Sequence, residues 1–368
     1  MEKYSRWSDL TTGINPFVPQ QQPLHANVGV KVLQVLAGSA LVLVRVPLLT
    51  VGGLLLVLTN VIVSILGFVP FLGRFLKRLT EWLLCSLLLL ILGVFVSEEG
   101  ANTRRLGLTT PGAKQAKGST RVGPKDIVVC NHTSFVEILY LARRFSPTFV
   151  FVDEESAAKG LVHACGLIEA IYRGLTPPVL QSKGTPRKIE DVIRRASGPI
   201  AIFPEGVRSN GKSVLRFLPI LEQLSFELPG SKQPLRIHLV AFRYEFKNFS
   251  PAHSAGGGIK HVLWTSFYGY HSLRVTHLHA KDLNVQDVGP ATRSKAASTA
   301  TQLTKVQVER LRGLLAAMLR TKPVDLSVKD FISFNAYWDH VKSGGKKSAA
   351  EFTDRKAPHE HAQWSTRK

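Results

Sequence analysis

From Val46 to Gly73 the chain runs for 28 residues without a charged side chain, and from Trp82 to Ser97 for another 16. About 20 apolar residues cross the hydrocarbon core of a bilayer, with roughly 17 to 25 tolerated. The first run is therefore long enough to span it even when tilted, and the second falls just short. Between them Arg74 to Glu81 forms a polar break suited to headgroups. Pro47, Pro70 and several glycines interrupt a straight helix, so a hairpin dipping into one leaflet competes with two full crossings. Either geometry returns the chain to its starting side. The runs are too continuous for a buried hairpin of a soluble protein. They also begin late, after Pro16, Pro19 and Pro23, and lack the short apolar core and small-residue site of a cleaved signal peptide.

A formal charge of +21 coexists with a mean hydropathy of +0.07, so charge and hydrophobicity occupy different stretches. The order predicted is a polar and amphipathic region over 1–45, a membrane-embedded hairpin or pair of transmembrane helices over 46–97 and a basic linker over 98–125. A folded domain over 126–335 and a basic, disordered tail over 336–368 follow. Basic residues flanking the hairpin favour a cytosolic main domain. Cys85, Cys130 and Cys165 contain no C-x-x-C pair, which gives neither a zinc site nor a disulfide framework and fits a reducing compartment. The positive balance raises nucleic acid as a partner, but no zinc-finger spacing or RNA-binding motif is present. Attraction to anionic lipid or to a phosphate-bearing substrate accounts for the same charge.

Within 126–335, short apolar runs at Ile127–Cys130, Phe149–Val152 and Ile200–Phe203, with later ones at Leu235–Tyr244 and Leu273–His279, read as buried strands. Helical patterns alternate with them at Phe135–Arg144, Ser156–Cys165, Thr185–Ala196 and Val214–Phe226, and Arg293–Arg320 carries an amphipathic period. That alternation predicts an α/β fold with a mostly parallel sheet flanked by helices.

Asn131 and His132 follow the first strand directly, where α/β folds gather reactive groups. His132 and Glu137 can meet only if the histidine lies in the turn and the glutamate in the first turn of a helix capped by Thr133 or Ser134. The carboxylate then fixes the tautomer and leaves Nε2 free as a base. A capping or surface pair is the plainer reading of that spacing alone. Phe203-Pro204-Glu205-Gly206-Val207-Arg208-Ser209 also ends a strand, with a glycine for a tight turn and an arginine suited to an anion. Gly166 to Arg173 reads as a further turn and strand ending in an arginine.

In this order the motifs resemble those of the glycerolipid acyltransferases of the lysophosphatidic acid acyltransferase type, over roughly residues 120–280. The resemblance implies an acyltransferase-like domain behind a membrane anchor. It implies His132 as general base toward a glycerol hydroxyl and Glu137 as its orienting partner, in place of the family's usual aspartate. Asn131, Arg173, Glu205, Gly206 and Arg208 fall to substrate binding, the last three as a cradle for the acceptor's phosphate. Val207 stands where the family has threonine, and no proline occurs in His238–Phe242, where the fourth family block has one. The implied reaction is acyl transfer from acyl-CoA to lysophosphatidic acid, giving phosphatidic acid, with no cofactor or metal. Another lysophospholipid acceptor, or a non-catalytic membrane or lipid-droplet protein keeping the fold, are the alternatives. Lipid-soluble acceptor and product place such a protein at the endoplasmic reticulum membrane, or on lipid droplets if the hairpin stays in one leaflet.

Overall fold

The structure is a computed structural model that describes residues 2–20, 27–66, 70–108, 121–176, 185–225, 235–246, 249–283 and 302–344. The N-terminal apolar region folds as two helices, α1 (Val28–Leu66) and α2 (Pro70–Ile91). The predicted boundary at residue 46 falls inside α1, because Lys31 and Arg45 do not interrupt an otherwise apolar helical run. The polar break is not a loop either: Arg74 to Glu81 lies within α2, where Lys77 and Glu81 pair across one turn at 3.9 Å. Among the described residues α1 alone is long and apolar enough to cross a membrane. The second apolar run stops being helical at Ile91, and after a turn at Gly93 its last residues open strand β1 (Val94–Gly100).

The domain continues through β2 (Ile127–Cys130), α3 (Phe135–Phe145), β3 (Thr148–Phe151), α4 (Glu154–Ala157), β4 (Leu161–Cys165) and α5 (Leu167–Leu175). It then passes through β5 (Arg187–Lys188), α6 (Ile189–Arg195), β6 (Ile200–Ile202), β7 (Ser213–Val214), β8 (Ile237–Glu245) and α7 (Gly258–Phe267). The last elements are β9 (His271–Leu278), α8 (Lys305–Leu319), β10 (Lys322–Pro323) and α9 (Val328–Lys342). Eight strands form one sheet in the order β1-β9-β8-β2-β6-β3-β4-β5, and β7 pairs with β10 separately. Parallel pairing joins β1 to β9, β8 to β2, β2 to β6 and β6 to β3; β8·β9, β3·β4 and β4·β5 are antiparallel. The short β2, β3 and β6 are buried along nearly their whole length, as parallel strands covered on both faces must be.

Several local expectations change. Ser156–Cys165 is not a helix: α4 ends at Ala157, Gly160 turns with φ +67°, and β4 takes the rest. Gly166–Arg173 is the start of helix α5, not a strand, since Leu167 and Ala170 bury on one face three residues apart. Val214–Phe226 carries a short strand end and one 3-10 turn, Leu221–Gln223, with Pro219 interrupting; Phe226 lies outside the described residues. The last amphipathic helix starts at Lys305, behind a capping box of Thr304 and Gln307, and residues 284–301 lie outside the described ones. So do 109–120 of the basic linker and 345–368 of the tail, whereas α9 carries the fold to Lys342.

The helical pair is built into the domain. Leu56 of α1, Cys85, Leu88 and Leu89 of α2 and Leu92 just past its end share one buried cluster with Val136, Leu139 and Tyr140 of α3. Gly38 lets α1 lie against Phe267, since a Cβ there would sit 2.4 Å from the ring. Arg45 donates to Ser266 O at 3.1 Å, Tyr268 O at 2.8 Å and Gly269 O at 2.9 Å, the carbonyls at the end of α7. The negative end of that helix thereby receives the positive charge that an apolar helix would otherwise leave unpaired.

Candidate active site

The turn between β2 and α3 is tied by one carboxylate. Ser134 is the N-cap of α3, accepting from Val136 N–H, and Glu137 stands three residues on, the capping-box spacing. Its carboxylate reaches past the cap: Oε2 accepts from Thr133 N–H at 2.8 Å, Oε1 from the Thr133 hydroxyl, and Oε2 lies 3.2 Å from His132 Nδ1. The Glu137 side chain is fully buried and the His132 residue 4% exposed. With Nδ1–H donating to the carboxylate, Nε2 is the unprotonated nitrogen. The ring packs on Phe203 at 4.4 Å between centroids, with Phe151 at its edge. Burial holds the His132 pKa below 6.5; Glu137 opposes that shift and the nearby charge of Arg208 adds to it.

Arg208 is the second component. Ser209 N–H donates to His132 O at 3.0 Å, locking its loop to the histidine turn. The guanidinium is 3% exposed and caps the end of α5, Nη1 donating to Gly174 O and, at 3.4 Å, to Arg173 O. Its Nε–H is buried without a hydrogen-bond partner. Burial lowers its pKa to about 10, so the group stays charged at neutral pH. A buried, charged donor left unsatisfied is costly, and an anion in this place would satisfy it.

Arg173 also reaches the site, with its guanidinium over the Phe151 ring at 5.7 Å, but it is already engaged by Glu169 Oε1 at 2.9 Å from Nε and 2.8 Å from Nη2. Three other residues read as substrate-binding are engaged by the fold around them. Both ends of the Asn131 amide are used on β8, donating to Phe242 O at 3.0 Å and accepting from Phe242 N–H at 2.8 Å. Glu205 is fully buried, accepts from Leu215 N–H at 3.0 Å and leaves Oε1 without a hydrogen bond. Burial raises its pKa to about 8, and the Glu137 charge raises it further against the Leu215 hydrogen bond. Gly206 has φ +71°, and a Cβ on it would lie 2.6 Å from Leu218 and 3.1 Å from Val152 O. Gly206→Ala should therefore lower the thermal midpoint well below that of the parent, whereas Val207→Thr should cost less, by fluorescence-monitored unfolding. Val207 is itself 2% exposed and packs within the apolar core.

Three features here escaped sequence reading. The Tyr244 hydroxyl is buried beside Ser134 and Glu137; burial and the Glu137 charge raise its pKa. His253 donates its backbone N–H to Thr133 O at 2.7 Å and stacks on His261 at 4.4 Å. Burial, with the nearby Arg208 charge, lowers its pKa to about 2. Residues before α1 form a strap: Asn210 N–H donates to Pro16 O at 2.7 Å, and its amide nitrogen to Asn15 O at 2.9 Å and Val18 O at 2.8 Å. Tyr4, Trp7 and Phe17 of the strap pack on Phe334 of α9. None of these residues carries a spacing that marks it, because each meets the site only across the fold.

No protein-family model matches the sequence. The chain is 25% identical over 223 residues, 60% of its length, to a Schizosaccharomyces pombe protein provisionally named lysophosphatidic acid:oleoyl-CoA acyltransferase, of which it covers 68%. It is 29% identical over 146 residues, 37% of its length, to the lysophospholipid acyltransferase LPEAT1 of Arabidopsis thaliana, of which it covers 33%. The crystal structure of the 1-acyl-sn-glycerophosphate acyltransferase PlsC from Thermotoga maritima aligns with 78% of this chain and 97% of its own, at a TM-score of 0.41 and 14% identity, too loose a likeness to carry weight. The ordered motifs and the two sequence matches agree: the chain is similar in sequence to acyltransferases named for lysophosphatidic acid and lysophospholipid acceptors.

Proposed function

We propose that this protein transfers an acyl chain from acyl-CoA to the free hydroxyl of lysophosphatidic acid, forming phosphatidic acid. One observation carries the reading: a neutral histidine, oriented through Nδ1 by Glu137, stands beside a charged arginine whose buried Nε–H is unmet. His132 Nε2 takes the proton of the glycerol hydroxyl as its oxygen attacks the thioester carbonyl. The C–S bond then breaks, and the proton passes from the imidazolium to the departing CoA thiolate. Arg208 holds the acceptor's phosphate, with Arg173 exchanging Glu169 for it. No acyl-enzyme is needed: burial raises the pKa of Cys130 and lifts that of Cys165 to about 12, which leaves both as poor nucleophiles.

Microsomes containing the protein should form phosphatidic acid from lysophosphatidic acid and acyl-CoA, followed by product chromatography. The name of the Arabidopsis relative, a lysophospholipid acyltransferase, keeps a second acceptor class open. A panel of lysophosphatidic acid, lysophosphatidylcholine and lysophosphatidylethanolamine decides between them. A phosphomonoester is favoured here, because its charge of about −1.5 to −2 suits two arginines better than a single diester charge. A preference for either diester acceptor would overturn that choice.

We further propose a cytosolic domain at the endoplasmic reticulum with lipid droplets accessible, and the packing of the helical pair supports the one-leaflet topology that this needs. Gly166, Leu167 and Ser197 of the domain line one cavity of about 420 Å³ with Arg74 and Lys77 of α2. The polar start of α2 thus lies against the domain, and two full crossings would draw the domain into the bilayer with it. A cysteine introduced at Thr80 should react with a membrane-impermeant maleimide added outside intact microsomes. Protection until the membrane is opened would sink the one-leaflet topology.

A further inference from the structure

At the opposite end of α3 from Glu137 lies a second polar cavity, of about 430 Å³. Eleven helical residues separate the two ends by roughly 16 Å. Arg143 and Arg144, in the last turn of α3, form one wall. Phe75, Arg78, Leu79 and Trp82 form the other, spaced to share one face of α2, and Glu98 of β1 closes the floor. Arg144 Nε pairs with Glu98 Oε2 at 3.5 Å. Arg78 and Arg143 make no hydrogen bond or ion pair with any described residue. Three guanidinium groups against one carboxylate leave a formal charge of +2 around the cavity.

The wall on α2 is also greasy in the outward direction. Phe75 is 57% exposed and Trp82 51% exposed, and they continue into the exposed Leu72, Leu83, Leu87 and Leu90 along the same helix. An indole at the edge of an apolar stripe is suited to the bilayer interface. The cavity therefore offers a cationic socket where headgroups lie, opening onto apolar surface where acyl chains lie. A phosphomonoester carries about −1.5 to −2 at neutral pH, which matches the socket, and paired guanidinium groups bind phosphate oxygens through parallel N–H donors. We propose that this cavity is a binding site, separate from the catalytic centre, for the headgroup of a phosphomonoester glycerolipid. It retains the protein on membranes containing such a lipid, and it does not depend on the acyl-transfer reading.

The test uses full-length protein carrying His132→Ala, to prevent turnover, in a neutral detergent. Short-chain phosphatidic acid is titrated while tryptophan emission is read, with Trp82→Phe subtracted so that this cavity alone reports. Saturable quenching or shift of Trp82 emission is expected, weakened at least about tenfold by Arg78→Gln with Arg143→Gln, since both charge-assisted donors to the phosphate are then lost. Short-chain phosphatidylserine and inorganic phosphate should each bind more weakly. An unchanged titration in the double variant, or no Trp82 response in the parent, overturns the site. Equal binding of phosphatidylserine overturns the phosphomonoester assignment, and equal binding of inorganic phosphate overturns the lipid one. With His132 intact, the two arginine substitutions together should leave acyl transfer near the parent rate, and a large loss would overturn the separation of this cavity from the catalytic centre. An inactive parent that still shows the Trp82 response would remove the acyltransferase proposal and keep this one.

Discussion

His132→Ala should lower the rate of phosphatidic acid formation about 10²–10⁴-fold, the usual contribution of a positioned general base, with the protein present at its normal level. The parent's rate should fall on acidification only below the ordinary imidazole value of 6.5, because burial depresses the His132 pKa and the base must be neutral to act. A parent-like rate in the alanine variant would show that the proposed centre is wrong. Glu137 sharpens the test. By resemblance, the glutamate stands where the family usually has an aspartate. In the structure the carboxylate already reaches Thr133 N–H, the Thr133 hydroxyl and His132 Nδ1 together. Removing a methylene withdraws it from all three, and a misplacement near 1 Å costs on the order of a hundredfold. Glu137→Asp should therefore slow turnover while leaving KM for acyl-CoA nearly unchanged. An inert scaffold would show no turnover in parent or variant.

Glu205→Gln should stabilise the protein at pH 8 and remove a large part of its pH dependence. In the folded chain the carboxyl titrates at about 8, against 4.5 when solvated. Between those values the unfolded chain has released the proton and the folded chain has kept it, so stability contributed by Glu205 is full below pH 4.5 and is lost as pH rises toward 8. At 1.36 kcal/mol per pKa unit the loss amounts to roughly a few kcal/mol. Glutamine keeps an acceptor for Leu215 N–H and cannot ionise. The buried histidines act in the opposite sense: with folded pKa values of about 2 for His253 and about 3 for His261, their contribution grows as pH rises toward 6.5. The difference between parent and Glu205→Gln isolates the carboxyl, measured as thermal midpoints in detergent from pH 5 to 8.5. Parallel midpoint curves would mean that Glu205 is ionised in the fold.

The sequence by itself determined what short-range physics encodes. One uncharged run long enough to span a bilayer core, and a second just short of it, required an apolar helical pair. Buried strand patterns at Ile127–Cys130 and Ile200–Ile202 placed His132 and Arg208 just beyond strand ends. A helix cap at Thr133 or Ser134 was also legible, since a helix N-terminus needs acceptors for its free N–H groups. Pairing between distant segments was not. That α1 and α2 lie along α3 instead of standing apart follows from Leu56, Leu88 and Leu89 matching Leu139 and Tyr140, a fit of shapes that no local pattern records. Asn131 and Glu205 carry the residue types of a binding site, and only the tertiary structure shows that they also hold Phe242 and Leu215 in place. The cationic cavity was divided in sequence between Arg78 and Arg143, and the tertiary fold alone brings those charges together, because α3 ends where α2 presents its outer face.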